Sequence, residues 1–195
     1  MKPAYGHLIA GFLLIFFSTL PAADEFSKID NYRQYSPYFS SSGQPSANQL
    51  KALSEAGFRR VIYLAFTDNK TAIESEDRVV KSLGMDYIHI PVDFDRPTLD
   101  DFEDFASVLN RDKNTRTLLH CQINLRASTF SFLYRVIYGG VSMSDAKSDL
   151  DSIWQPDKVW YKFIVDVLNQ HGLSQQCDDC DWGTNEFKDQ APTSD

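Results

Sequence analysis

His120-Cys121-Gln122-Ile123-Asn124-Leu125-Arg126-Ala127-Ser128 places a thiol, a guanidinium and a hydroxyl in one short stretch. An apolar run, Thr117-Leu118-Leu119, precedes it, and a helix-prone segment from about Ala127 to Tyr138, stopped by Gly139-Gly140, follows. A strand, a tight loop and a helix N-terminus together make an anion site, because unpaired backbone N–H groups converge there and the helix dipole adds partial positive charge. A cysteine at the mouth of such a loop gains thiolate character. Arg126 adds a planar fork of donors suited to a phosphate, and a cation in this first turn is unfavourable unless an anion sits beside it. The expected cradle is the backbone from Gln122 through Ile123, Asn124 and Leu125 to Arg126 and Ala127, with His120 hydrogen-bonded to the loop. Ser128 is either an ordinary first-turn hydroxyl or a group that eases thiolate departure. A thiolate facing an Arg-clamped oxyanion is what a cysteine-dependent phosphatase requires, and that chemistry calls for no metal or cofactor. The plain alternative for Cys121 is a small buried core residue.

Such a reaction also needs a proton for the leaving oxygen. Asp93 and Asp95, in Pro91-Val92-Asp93-Phe94-Asp95-Arg96-Pro97, lie 28 and 26 residues before Cys121. Neighbours two apart on an irregular extended loop rarely serve one pocket equally, so one of them is expected to face it. Asp95 is preferred because Arg96-Pro97 follows it in a loop able to swing over the site. Delivering a proton at neutral pH asks for a raised carboxyl pKa.

The elements that must position these groups alternate short apolar runs with amphipathic stretches, the βαβα pattern of an α/β domain. After an aromatic lead (Tyr32, Tyr35, Tyr38, Phe39), the run Ser40-Ser41-Ser42-Gly43-Gln44-Pro45 reads as turn. Ser46 then N-caps a helix carrying Leu50 and Leu53 and ending at Gly57. Strands are expected over 60–65, 87–90 and 117–120. Further helices are expected over 73–83, from Thr98 through Phe102, Phe105 and Val108, over 142–154 and over 157–170. Pro91 ends the second of those strands.

At His120-Cys121 and Arg126 the chain resembles the protein tyrosine and dual-specificity phosphatase superfamily. More narrowly it is similar to small bacterial phosphatase-like proteins related to the beta-lactamase-hydrolase-like domain. Tyr38-Phe39-Ser40-Ser41-Ser42-Gly43-Gln44-Pro45, Val61 to Leu64, and Tyr87-Ile88-His89-Ile90-Pro91-Val92 extend the likeness over about residues 30 to 170. The resemblance implies a single α/β domain with a central, mostly parallel sheet flanked by helices, a phosphocysteine formed on Cys121, phosphate held by Arg126, and an acid at Asp95 or Asp93. The chain departs from the pattern in one respect: four residues separate Cys121 from Arg126 where the superfamily has five, usually with a central glycine, and here none of the four is glycine. Either the loop is one residue shorter or Arg126 enters it from a shifted turn.

The chain has 195 residues, 43% of them hydrophobic and 24% charged, which suits one globular domain plus tails. A net charge of −8 argues against a nucleic-acid partner, which needs a basic surface. The expected partner is a phosphorylated protein or a small phosphate ester. Residues 8–20 are uncharged between Lys2 and Asp24, the order of a signal peptide over 1–23, and the run is shorter than the roughly 20 residues of a membrane span. The expectation is an exported protein, periplasmic or secreted, meeting a membrane only if that segment stays attached. The domain then covers 24–172, and 173–195 is a solvated polar tail. There, Cys177 and Cys180 are read as a local disulfide ahead of free thiols or half a zinc site. Two other functions stay open: a phosphate- or phosphoprotein-binding module without turnover, and a thiol-based oxidoreductase or sulfur-transfer protein.

Overall fold

The computed structural model describes residues 25–183. The expected signal segment, and residues 184–195 of the expected tail, lie outside the described residues. Strands β1 (Arg33–Ser36), β2 (Phe39–Ser42), β3 (Arg60–Tyr63), β4 (Asp86–His89) and β5 (Thr117–His120) form one sheet in the order β1-β2-β5-β3-β4. Only the edge pair β1 and β2 runs antiparallel; the remaining pairs are parallel. Helices α1 (Ala47–Glu55), α2 (Glu76–Ser82), α3 (Leu99–Arg111), α4 (Leu125–Ile137), α5 (Met143–Asp151) and α6 (Lys158–Gln170) cover both faces.

Strand alternation divides the core. Val61 and Leu118 face a cluster with Leu50, Leu53 and Val80 from α1 and α2. Ile62 and Leu119 face a larger one built from Phe102, Phe105, Phe130, Leu150 and Trp160 of α3 to α6. Helix starts are fixed by side chains the sequence offers: Ser46 with Gln49 and Thr98 with Asp101 form capping boxes, and Asp157 accepts from the Trp160 N–H at 3.0 Å.

Two expectations are corrected. The serine run read as turn is strand β2, fully buried and paired from Phe39↔Thr117 to Ser42↔His120. Its hydroxyls are not stranded in the core, since Ser40 Oγ and Ser41 Oγ lie 3.1 and 2.9 Å from the hydroxyls of Tyr32 and Tyr35. Ladder pairing and these bonds override the turn preference of serine.

The described part of the tail is not solvated throughout. Cys177 and Cys180 are joined in a disulfide, and just beyond it Trp182 is buried against Phe132 and Tyr161, with ring centroids 5.8 and 5.6 Å away. Lys147, itself buried, sets its Nζ 4.5 Å over the Trp182 ring and donates to Asp151 and to the Asp181 carbonyl. The segment is therefore a strap across α4, α5 and α6. Trp182→Ala is expected to lower stability by about 3–5 kcal/mol, read from the denaturant midpoint.

Candidate active site

Parallel register aligns the strand ends as a row, Ser42, His120, Tyr63 and His89, and the site stands at this C-terminal edge of the sheet. Cys121 is the first residue beyond β5 and is 1% exposed. Its N–H donates to the Ser42 carbonyl at 3.3 Å, which continues the strand pairing by one step. The chain then turns through Gln122, Ile123 and Asn124 into α4.

Asn124 makes that turn. Its φ of 71° is left-handed, a conformation that a glycine takes freely and that asparagine tolerates better than most residues. It is the third residue after the cysteine, the middle position where the longer loop of the superfamily carries glycine. Arg126 is the second residue of α4.

Both flanks of the loop are pinned. The Gln122 carbonyl accepts from the Gln44 N–H at 3.0 Å, and the Ile123 carbonyl accepts from Asn31 Nδ2 at 2.9 Å. Asn124 Nδ2 returns a bond to the Asn31 carbonyl at 2.6 Å. Gly43 has to be glycine here: a Cβ would stand 2.9 Å from the Gln122 carbonyl oxygen and 2.9 Å from the Asp30 Cβ. Among the described residues the N–H groups of Gln122, Ile123, Leu125, Arg126 and Ala127 find no protein acceptor. The N-cap side chain of Asn124 does not bond into the first turn of α4, so that helix end is open to an anion.

Arg126 is 6% exposed, yet no carboxylate among the described residues lies within ion-pair distance of it. Its Nη1 donates to Gln122 Oε1 at 3.3 Å, and its Cζ lies 5.1 Å from the centroid of Phe94. Its Nε is buried with no partner. Buried charges are ordinarily paired, so this guanidinium is set to meet an anion that comes from outside the chain. Cys121 and Arg126 act on a common neighbour: burial raises the pKa of the Tyr63 hydroxyl, against a bond from Asn69; the nearby charges of Glu76 and Cys121 add to the rise and that of Arg126 opposes it.

The acid candidates separate. Asp95 is exposed, and its N–H donates to Asp93 Oδ1 at 3.0 Å. Asp93 is half-buried and is also held by Arg96, whose Nη2 lies 3.1 Å from Oδ2. The Asp95 N–H first, then the Arg96 hydrogen bond, hold the Asp93 carboxyl below the usual carboxylate range, and the charge of Arg126 adds to that. The charge of Arg126 thus acts on Asp93. Between the two, Phe94 packs under Arg126 and its carbonyl accepts from Trp160 Nε1 at 3.0 Å, tying the segment to α6.

Of the two supporting residues, Ser128 takes one of its two expected roles and His120 departs from the expected one. Ser128 is buried and its Oγ donates to the Leu125 carbonyl at 3.0 Å, the first-turn role. His120 does not bond the loop. It faces the opposite side of β5 from Cys121, stacks on Tyr63 with centroids 4.6 Å apart, and sets Nε2 3.2 Å from Glu76 Oε1. Sequence reasoning missed Glu76, Asn31 and the bonding role of Gln44. A first-turn acid and polar loop residues carry no mark of burial in the sequence; only the fold brings residues this far apart under one loop.

The family described as DSP-PTPase phosphatase fused to NAD+ kinase matches residues 20–158. The chain belongs to this family. A DUF442 protein of Shewanella putrefaciens CN-32, described as a candidate phosphatase, has 30% identity and a TM-score of 0.69, covering 76% of this chain and 97% of its own. PTPMT1, solved with PI(5)P, has 16% identity and a TM-score of 0.61 over 73% of this chain and 97% of its own. The core catalytic domain of the PP-IP phosphatase SIW14 from S. cerevisiae, solved with citrate, has 13% identity and a TM-score of 0.59 over 70% and 84%. At these last two identities the likeness is one of fold. No curated protein matches the chain. The DSP-PTPase assignment agrees with the sheet order and with the strand, cysteine loop and helix unit described above.

Proposed function

We propose that the chain hydrolyses a phosphate monoester through a phosphocysteine on Cys121. The observation that carries this is the buried Arg126, without a carboxylate partner among the described residues, in the first turn of α4 beside loop amides that find no acceptor among those residues. The Cys121 thiolate attacks phosphorus, an S–P bond forms, and the P–O bond to the leaving group breaks. The alcohol oxygen takes a proton from Asp93, preferred here over Asp95 because the charge of Arg126 acts on it; its lowered pKa, opposite to the raised value expected of an acid working at neutral pH, puts this step at acid pH. Water then attacks the phosphocysteine, Asp93 recovers a proton from it, and the S–P bond breaks to release inorganic phosphate and the thiolate. Arg126 and the amides from Gln122 to Ala127 hold the equatorial oxygens throughout, stabilising charge as it develops.

The side chains of the loop supply no cation besides Arg126, which favours a substrate presenting one phosphate at the site. The ligand and substrate of the two distant relatives, PI(5)P and PP-IP, support a phosphate ester as the class. Export enters the proposal on the pattern of residues 1–23 alone. Vanadate-sensitive hydrolysis of aryl phosphates by the purified protein is the test. Phosphate binding by calorimetry with no turnover on any ester selects the non-catalytic module instead.

A general acid must be protonated in the free enzyme, so kcat/KM falls as pH rises through its pKa. With Asp93 held low, that fall begins on the acid side of the ordinary carboxylate range. Arg96→Ala removes a hydrogen bond and a positive charge, so the Asp93 pKa rises and the descending limb moves to higher pH. A pH profile on an ester with a poor leaving group reads it; an unmoved limb removes Asp93 from the acid role.

A further inference from the structure

Polar atoms without aligned hydrogen bonds concentrate beside Cys121: Gln44 Oε1, Glu76 Oε2 and both ring nitrogens of His120 are buried there. Most buried polar atoms in folded proteins are satisfied, so a cluster of this kind marks a place where something other than stability sets the arrangement. At its centre is Glu76, whose side chain is 4% exposed. The next residue, Asp77, shows what a first-turn acid ordinarily does: it sits at the surface and pairs with Lys81 at 3.4 Å. Glu76 instead takes its charge inside, where desolvation is unfavourable unless its partners compensate.

Those partners are tied to the residues on either side of Cys121 in the chain. Glu76 Oε1 lies 3.2 Å from His120 Nε2, and His120 immediately precedes Cys121. The same oxygen accepts from Gln44 Nε2 at 3.1 Å, while the Gln44 N–H donates to the carbonyl of Gln122, which immediately follows Cys121. One carboxylate oxygen thus reaches both covalent neighbours of the cysteine, the first directly and the second through Gln44. The Tyr63 ring, stacked between His120 and His89, limits how the imidazole can turn.

We propose that Glu76 is a positioning residue: through His120 and Gln44 it brackets Cys121 and sets where its Sγ stands against the bound phosphate. This rests on the reading of Cys121 as the nucleophile. Misplacing a reacting atom by about 1 Å lowers a rate by about 100-fold, so the effect belongs in kcat.

The experiment compares wild type, Glu76→Ala, Glu76→Gln and Gln44→Leu for kcat and KM on an aryl phosphate, for Tm, and for the rate of Cys121 alkylation by iodoacetamide with and without inorganic phosphate. Glu76→Ala is expected to lower kcat about 100-fold with KM changed only a few-fold. Glu76→Gln keeps an acceptor for Gln44 and is expected to restore kcat to within a few-fold of wild type. Gln44→Leu, which cuts only the arm to Gln122, is expected to lower kcat while Glu76 stays in place. Wild-type kcat in Glu76→Ala overturns the proposal, as does a folded Glu76→Gln no better than the alanine variant. If Glu76→Ala does not fold, Gln44→Leu decides, and wild-type kcat there overturns it. A wild type without turnover overturns the phosphatase reading alone. Positioning is then judged by alkylation: a change on the order of tenfold in Glu76→Ala supports it, and an unchanged rate and phosphate protection contradict it.

Discussion

Cys121→Ser is expected to abolish ester hydrolysis while the protein still binds phosphate. A serine hydroxyl needs a base beside it to become a nucleophile, and His120, on the far face of β5 and engaged with Tyr63 and Glu76, is not placed to be that base. No second thiol takes over among the described residues, because Cys177 and Cys180 are bonded to each other. The parts proposed to hold the anion, Arg126 and the first-turn amides of α4, do not involve the sulfur. Calorimetry with inorganic phosphate is therefore expected to give the variant an affinity close to that of wild type. Residual turnover near wild type assigns the chemistry to another group.

Arg126→Met separates function from stability in the opposite sense. Losing a preorganised donor to the developing phosphoryl charge lowers kcat/KM by about 10³-fold. Lysine does not rescue it fully, since a point charge cannot reproduce the planar fork. The folded protein, however, holds this guanidinium at 6% exposure with no carboxylate among the described residues within ion-pair distance. Replacing an uncompensated buried charge with an apolar side chain of similar length leaves Tm equal to or above that of wild type. Phosphate raises the Tm of wild type, as any ligand of the native state does, and leaves that of Arg126→Met unchanged. A variant that is inactive only because it is unfolded contradicts this account of the residue.

How much of this was legible in the sequence differs by element. The helices beginning at Ala47 and Leu99 announce themselves, because Ser46 with Gln49 and Thr98 with Asp101 are local signals in contiguous residues. Strands β3 and β5 are apolar runs with clear ends. Strand β2 was hidden: Phe39-Ser40-Ser41-Ser42 is written in turn residues, and only its neighbours β1 and β5, with the tyrosine hydroxyls, make it a buried strand. The strap ending in Trp182 was hidden for a similar reason, since a polar, acidic tail gives no hint that one tryptophan folds back onto Phe132. At the site, Cys121 and Arg126 were visible because chemistry demands their types in that order. Asn124 was legible only as an absent glycine until its left-handed φ of 71° explained the substitution. The choice between Asp93 and Asp95 as the acid is a question of loop geometry, to which the sequence gives no local clue. Glu76 lies 45 residues before Cys121 and joins it through tertiary contacts that no local pattern records.

The central claim is that the phosphoryl group passes through the sulfur of Cys121. Rapid acid quenching of the enzyme during turnover of an aryl phosphate, followed by mass analysis of its peptides, reads this directly. The account predicts a phosphoryl adduct on the peptide containing Cys121, absent from Cys121→Ser. Turnover with no adduct at any time point, or with the phosphoryl group on another residue, contradicts it.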